Sequence, residues 1–351
     1  MRILVLNGGS SSFKFWLGEI SGGPIPAMQP APVWEENVDL TAASEIREVL
    51  TPILQRVPGP IDAVGHRIVS GGSAYRESTP LTREVRAAIA QQADLAPAHN
   101  RMELAAVETV EAVLGPALRQ IAVFDTAFHS TLEPPAYVYP GPYEWFEQGI
   151  RRFGFHGINY QYCARLAAEM LGSKSHRLIL CHLGNGASLA AVRDGKSVDT
   201  TMGFTPLEGL MMGTRSGSID PGVLVYLMRK QGHTAAHLDR MLNRESGLLG
   251  VSGVSGDMRQ IVAAMESGNQ RARLAFDIYA HRLCRGIGEM LGVLGGADAL
   301  VFTGGVGEHC APLRELVVER LDFLAGLKVL VIHAGEEWEI ARECYRLSAP
   351  Q

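Results

Sequence analysis

Short apolar runs ending in glycine-rich turns recur along the chain, with amphipathic helical stretches between them. Ile3-Leu4-Val5-Leu6 runs into Asn7-Gly8-Gly9-Ser10-Ser11-Ser12 and resumes at Phe13-Lys14-Phe15-Trp16. Leu178-Ile179-Leu180-Cys181 runs into His182-Leu183-Gly184-Asn185-Gly186 and resumes at Ala187-Ser188-Leu189-Ala190. Each predicts two strands joined by a tight turn. A shift of 175 residues lays Arg2 on Arg177 and Gly9 on Gly184. The chain therefore reads as two related domains, each aiming one hairpin at a shared cleft, although glycine-rich hairpins also occur as plain structural turns.

Helical periodicity fills the intervals. Leu81, Val85 and Ile89 share a face at four-residue spacing. Asn100 with Glu103 predicts a helix start, and Gly115-Pro116 a stop. Residues 159–171 predict a helix closed by Gly172. Leu274, Ile278, Leu283, Ile287, Leu291 and Leu294 mark a long, mostly apolar helix: either it carries more apolar surface than a lone domain needs, or it is a buried core helix. Ile121-Ala122-Val123-Phe124 predicts a buried strand ending at Asp125, and Ala299-Leu300-Val301-Phe302 another, running into Thr303-Gly304-Gly305-Val306-Gly307. The proline-rich stretches 21–32 and 133–142 predict a loop and an irregular crossing, the second a candidate domain boundary. Strands alternating with helices predict an α/β architecture.

Composition narrows the partners. A net charge of −5 supplies no basic footprint for nucleic acid and no polybasic face for a membrane. Four apolar residues before Asn7 are too few for a signal peptide, and no later run is long enough to span a bilayer. Five scattered cysteines without a C-x-x-C pair predict reduced thiols in a cytosol. No zinc-ligand spacing occurs among the histidines and cysteines.

The familiar nucleotide motifs are absent. Lys14 follows Phe13 rather than the glycine of a phosphate-binding loop. Gly184-Asn185-Gly186 and Gly305-Val306-Gly307 meet Leu189 and Cys310 where a dinucleotide loop needs its third glycine. What remains is three glycine-rich turns, each fed by a buried strand. They are either structural turns or anion-binding nests of successive N–H groups, with Asn7, Ser10, Ser12, Lys14, His182 and Asn185 adding polar groups. Arg67 and Arg215 sit among small residues, as structural ion-pair partners or as forks for carboxylate and phosphate. Asp125, just past its strand, suits a metal or catalytic group or a turn cap. His129 reads as structural, and His156, between Phe155 and Gly157, as a core histidine or a working one.

Taken together, these segments resemble the acetate kinase (acetokinase) family of the actin/hexokinase/Hsp70 superfamily. The matching motifs are Asn7-Gly8-Gly9-Ser10-Ser11-Ser12-Phe13-Lys14, Gly65-His66-Arg67-Ile68-Val69, Phe124-Asp125-Thr126-Ala127-Phe128-His129, Arg152-Phe153-Gly154-Phe155-His156-Gly157, His182-Leu183-Gly184-Asn185-Gly186, the run from Thr205-Pro206 through Gly213-Thr214-Arg215-Ser216-Gly217, and Phe302-Thr303-Gly304-Gly305-Val306-Gly307-Glu308. The resemblance implies two actin-like (ribonuclease H-like) α/β domains, residues 1–148 with 336–351 and residues 149–335, and an interdomain active-site cleft. It implies a cytoplasmic homodimer, with the long helix near Leu274 at its interface. The activity it implies is Mg²⁺-dependent, reversible transfer of the ATP γ-phosphoryl group to acetate, with Mn²⁺ as a substitute ion. Propionate or butyrate kinase, and an ATP-binding regulatory relative of weak turnover, are the alternatives.

The roles follow residue by residue from the resemblance. Asn7 and Glu336 match the metal-holding pair. Lys14, Ser10, Ser12 and the turn from His182 through Leu183, Gly184 and Asn185 to Gly186 match the phosphate contacts. Asp257, Met258 and Arg259 match the ribose and adenine segment, and Gly305, Val306, Gly307, Glu308 and His309 the adenosine loop. Arg67 and Arg215 match the substrate and transition-state arginines, Asp125 the catalytic aspartate, and His156 the histidine at the transferring phosphoryl group. Val69, Ala98, Phe155 and Pro206 match the acyl pocket. Ala98 stands where leucine is usual, Arg101-Met102 where prolines are, Tyr160 and His309 where histidine and asparagine are, and Ser218 where an acid is common. Glu337 competes with Glu336 for the metal role. The chain is also shorter than typical members.

Overall fold

The computed structural model describes residues 1–9, 12–21, 23–40, 45–91, 97–172, 176–324 and 326–348, with the side chains of 97–101 excluded. Ser10 and the Ala98 side chain thus lie outside the described residues. The strands are β1 (Arg2–Gly8), β2 (Ser12–Glu19), β3 (Trp34–Asp39), β4 (Ala63–Ile68), β5 (Thr79–Pro80), β6 (Arg119–Phe124), β7 (Arg177–Leu183), β8 (Ala187–Arg193), β9 (Lys196–Thr200), β10 (Ala299–Thr303) and β11 (Lys328–Val331). The helices are α1 (Ile46–Leu54), α2 (Arg83–Gln91), α3 (Pro97–Leu114), α4 (Pro134–Tyr137), α5 (Tyr143–Glu147), α6 (Gly157–Leu171), α7 (Pro221–Gln231), α8 (Ala235–Arg244), α9 (Gly247–Ser252), α10 (Met258–Glu266), α11 (Gln270–Leu294), α12 (Gly304–His309), α13 (Ala311–Arg320) and α14 (Glu336–Ser348). They form two compact units: Met1–Ser130 with His156–Tyr162 and Gly335–Gln351, and Thr131–Phe155 with Cys163–Ala334.

The first unit is built on a sheet of order β3-β2-β1-β4-β6-β5. β1 pairs antiparallel with β2 and parallel with β4, and β4 runs parallel to β6. Both faces are covered, which is why β1 reads as a near-continuous apolar run and why even His66 of β4 is buried. On one face Leu4, Leu6, Phe13, Phe15 and Leu17 pack with Leu50 and Ile53 of α1 and Ala106 and Val110 of α3. On the other, α14 lies so close to β4 that a Cβ on Gly65 would come 2.5 Å from Ile340 and 2.6 Å from Cys344, so glycine is needed there. Trp338 of α14 meets Trp16 edge-on, ring centroids 5.9 Å apart.

The second unit repeats the order as β11-β10-β7-β8-β9, with β7, β8 and β9 antiparallel and β10 parallel to both β7 and β11. The 175-residue shift maps Arg2–Gly8 onto Arg177–Leu183, the observed bounds of β1 and β7. The repeated hairpin is therefore the start of the same sheet used twice, as the actin-like α/β expectation requires.

One helix departs from expectation, and another takes one of the two places that its sequence left open. α3 begins at Pro97 rather than at Asn100, because proline at the first helical turn forgoes an N–H that would have no partner anyway. α11 is the core helix of its unit: Ala275, Phe276, Tyr279, Leu283, Gly286, Ile287, Met290 and Leu294 are buried, while Leu274 is exposed. α7 is the reverse case. It is well made, with the Asp220 carboxylate accepting from the Gly222 amide at 2.8 Å, Pro221 next, and a left-handed Gly232 at its end. Yet it buries no residue, and Val223, Val225, Tyr226 and Met228 are exposed. No helix among the described residues is long and apolar enough to cross a membrane.

Candidate functional site

In the first unit the candidate residues converge on the ends of β1, β4 and β6. Arg67, near the end of β4, donates from Nη1 to the Gly8 carbonyl at 2.7 Å and from Nη2 to Asp125 Oδ2 at 2.8 Å. Burial pulls the guanidinium toward losing its proton, but the carboxylates of Asp125, Glu336 and Glu103 outweigh it and hold Arg67 above its ordinary range. Asp125 is 1% exposed. Its Oδ2 also accepts from the His156 amide at 3.1 Å, and its backbone carbonyl accepts from Gly157 at 2.8 Å. A Cβ on Gly157 would fall 2.3 Å from that carbonyl, so only glycine admits this approach. Asp125 Oδ1 is buried without a hydrogen-bond partner among the described residues.

His156 is partly exposed and has φ +60°, a conformation rare for a side chain with a Cβ. It is therefore not the enclosed core histidine that its flanking aromatics allowed. That place belongs to His129, 1% exposed and edge-on to Tyr160 at 5.7 Å.

Asn7, next to last in β1, pairs with Lys14 of β2. Its Nδ2 donates to Glu336 Oε2 and Glu337 Oε1, both at 2.9 Å, and Lys14 Nζ stands 3.7 Å from Glu337 Oε1. The amide oxygen of Asn7 is then the atom of that side chain able to hold a cation. Burial raises the Glu336 carboxyl above the usual range; Arg67 opposes this, and Asp125 and Glu337 add to it. A buried Glu336 carboxyl that resists ionisation, with Glu337 and an amide oxygen next to it, is the hard oxygen donor set that suits a divalent ion such as Mg²⁺. Both glutamates stand in the first turn of α14, where the helix dipole favours negative charge.

Val69 is buried, and its amide donates to Glu103 Oε1 at 3.0 Å. Periodicity had suggested Glu103 as a capping partner for Asn100. With α3 starting earlier, its carboxylate is instead directed at the backbone beside Arg67. Ala98 lies in the first turn of α3. Ser12 opens β2, and its carbonyl accepts from the Gly9 amide at 2.8 Å.

The second unit assembles the remaining candidates. His182 and Leu183 end β7, and the Gly184 amide closes the turn on the Gly186 carbonyl at 2.9 Å. The Asn185 carbonyl accepts from the Gly213 amide at 3.0 Å, which brings this turn to the segment carrying Arg215. Arg215 Nη1 donates to the Pro206 carbonyl at 3.3 Å. Phe155 is buried in this unit. Gly304, with φ +78°, seats α12 against β7; a Cβ there would lie 2.9 Å from the Leu183 carbonyl. Gly305, Val306, Gly307, Glu308 and His309 thus follow directly beside the 184–186 turn. The Glu308 carboxylate faces the protein: it accepts from the Gly304 and Ala334 amides, each at 3.0 Å, and from His333 Nδ1 at 2.5 Å. Asp257 caps α10 by accepting from the Arg259 amide at 2.9 Å, and the Arg259 guanidinium holds its carboxyl below the usual range. Met258 is buried, while the Arg259 side chain is 88% exposed.

The acetokinase family model matches residues 2–333. An acetate kinase of Gloeobacter violaceus is 50% identical, with 99% of each chain aligned. The crystal structure of Porphyromonas gingivalis acetate kinase superposes with a TM-score of 0.86 at 36% identity over 99% of both chains. A propionate kinase from Francisella tularensis gives a TM-score of 0.88 at 34% identity over 98% of this chain and 99% of its own. The alignment to the Gloeobacter protein runs over 401 positions against 351 residues here, so the relative carries insertions within it. With its repeated sheet, its grouped arginine, aspartate and histidine, and these matches along nearly all its length, this chain belongs to the acetokinase family.

Proposed function

We propose that the chain transfers the γ-phosphoryl group of ATP reversibly to acetate, giving acetyl phosphate and ADP. The observation that carries this reading is the single Asp125 carboxylate that holds both Arg67 and the His156 backbone. It holds a guanidinium and the backbone that carries an imidazole from one buried point. Acetate is already ionised at neutral pH, so no base is needed. One of its oxygens attacks the γ-phosphorus in line, the bond to the bridging β,γ-oxygen breaks, and that electron pair leaves on ADP. The difficulty is bringing two anions together, and phosphoryl transfer is mainly positioning and charge stabilisation.

Arg67 is suited to orient the carboxylate, with Val69 beside it, and Phe155 and Pro206 keep the acyl-pocket role that the family resemblance gives them. Arg215 and His156 are suited to the charge on the transferring group. Lys14, Ser10, Ser12 and the turn 182–186 would take the nucleotide's phosphates. Residues 257–259 and 305–309 would take its nucleoside, with Glu308 shaping its loop through the backbone rather than touching ligand. Asn7 and Glu336, supported by Glu337, would hold Mg²⁺, which when bound supplies countercharge to the β- and γ-phosphates.

The chain is proposed to act as a cytoplasmic homodimer. α7, with its apolar side chains uncovered, supports that surface better than α11, whose apolar face is used within its own unit.

The test is incubation with ATP, Mg²⁺ and formate, acetate, propionate or butyrate, trapping acyl phosphate with hydroxylamine. Acetyl hydroxamate is expected in the highest yield. Propionyl hydroxamate exceeding it would move the assignment to the propionate kinases, and no product from any acid would reject kinase activity.

A further inference from the structure

Glu103 is a buried carboxylic acid that the reaction above does not use. It is 2% exposed, on α3, in the unit that carries Arg67 and Asp125. One oxygen accepts from the Val69 amide at 3.0 Å, and the other has no hydrogen-bond partner among the described residues. For packing α3 alone this is a poor choice, because a buried carboxyl with one neutral donor costs more than an apolar residue of the same size. What the carboxyl does provide is an acceptor for the backbone just past β4. The Ile68 carbonyl is taken by the Asp125 amide at 2.8 Å, and the Val69 amide by Glu103. Those two bonds fix the segment that carries Arg67 on one side and the Val69 side chain on the other.

We propose that Glu103 is a positioning residue of the carboxylate site, holding Val69 and Arg67 in register for the substrate's head and tail. The proposal rests on the reading of Arg67 and Val69 as the carboxylate site. Its electrostatic surroundings agree. Burial pushes the Glu103 carboxyl up to about 8, while Arg67 and the Val69 amide pull it down and Asp125 adds to the rise. The charged groups facing it are thus Arg67 on β4 and Asp125 after β6. At neutral pH it is a protonated acid that leaves Arg67 to the substrate. Above that range it becomes a second anion beside Arg67 and competes with the incoming carboxylate.

The test is steady-state kinetics of the full chain and of two variants between pH 7 and 9.5, with KM measured separately for acetate and ATP. Glu103→Gln keeps an acceptor for Val69 but cannot ionise; Glu103→Leu removes both properties. In the wild type, KM for acetate is expected to rise about fivefold over this range with KM for ATP unchanged. Glu103→Gln should abolish that rise while keeping the neutral-pH KM. Glu103→Leu should raise KM for acetate at every pH and blur discrimination between acetate and propionate. An equal rise in wild type and Glu103→Gln, or equal effects of Glu103→Leu on both substrates, would overturn the positioning role. Absence of acyl phosphate from the wild type would instead fall on the functional reading itself.

Discussion

Asp125 Oδ2 accepts a hydrogen bond from the backbone N–H of His156 at 3.1 Å, and His156 is held at φ +60°. A non-glycine residue there carries strain of roughly 1–2 kcal/mol, so the surrounding contacts must enforce it. His156→Gly should therefore raise stability by up to about 1 kcal/mol, while turnover falls about 100- to 1,000-fold with the imidazole gone. Urea denaturation and the hydroxamate assay on the same preparation measure both. A variant that is less stable yet fully active would contradict the strained, working histidine.

Arg215 is tethered by its guanidinium to the Pro206 carbonyl, and through Gly213 its segment meets the Asn185 turn. Arg215→Ala should lower kcat about 100- to 1,000-fold and leave ATP affinity within about threefold, the pattern of a group that acts mainly in the transition state. Turnover by stopped assay and nucleotide binding by calorimetry separate the two. Equal losses would make Arg215 a ground-state binding group.

The uncovered apolar side chains of α7 should mediate self-association. Light scattering of the wild type should give twice the mass of one chain, and Val225→Asp combined with Tyr226→Asp should halve it without loss of helical circular dichroism. Leu274→Asp, on exposed α11 surface, should leave the mass unchanged. The opposite pattern would return the interface to α11.

His66 is enclosed in β4, with Nε2 donating to Gln120 Oε1 at 2.8 Å. Burial lowers it from 6.5 to about 4; the bond to Gln120 opposes this, and Arg86 adds to the lowering. A histidine depressed on folding contributes stability that is present above pH 6.5 and lost as pH falls toward 4, because the unfolded chain takes the proton first. The loss should approach about 3 kcal/mol at full depression. The difference in unfolding free energy between wild type and His66→Gln, followed from pH 7.5 to 4, should move in favour of the variant as the medium is acidified. A constant difference would mean that His66 titrates normally.

Much of the candidate site lay open in the order of residues. Glycine-rich turns after apolar strands announce backbone held close to something, and the repeated hairpin announced the repeated sheet. Glu103 was harder. A glutamate three residues past an asparagine fits a capping box, and nothing local says that the helix starts at Pro97 and frees the carboxyl to reach Val69. Glu308 likewise sits inside a motif, yet its direction depends on Ala334 and His333, which arrive from a distant loop.

Periodicity, turn chemistry and the 175-residue repeat are local properties, set by backbone sterics and by which face of an element is apolar. For that reason the chain's order alone determined β1, β2, β6, β7, β8 and β10, the repeated hairpin and its family. Tertiary structure decided what depends on partners far along the chain. Asn7 meets glutamates 329 and 330 residues away, Gly65 admits α14, and α11 rather than α7 found a core to enter. Hydrophobic burial is non-directional, so two apolar helices look alike in sequence until the space around each has been filled.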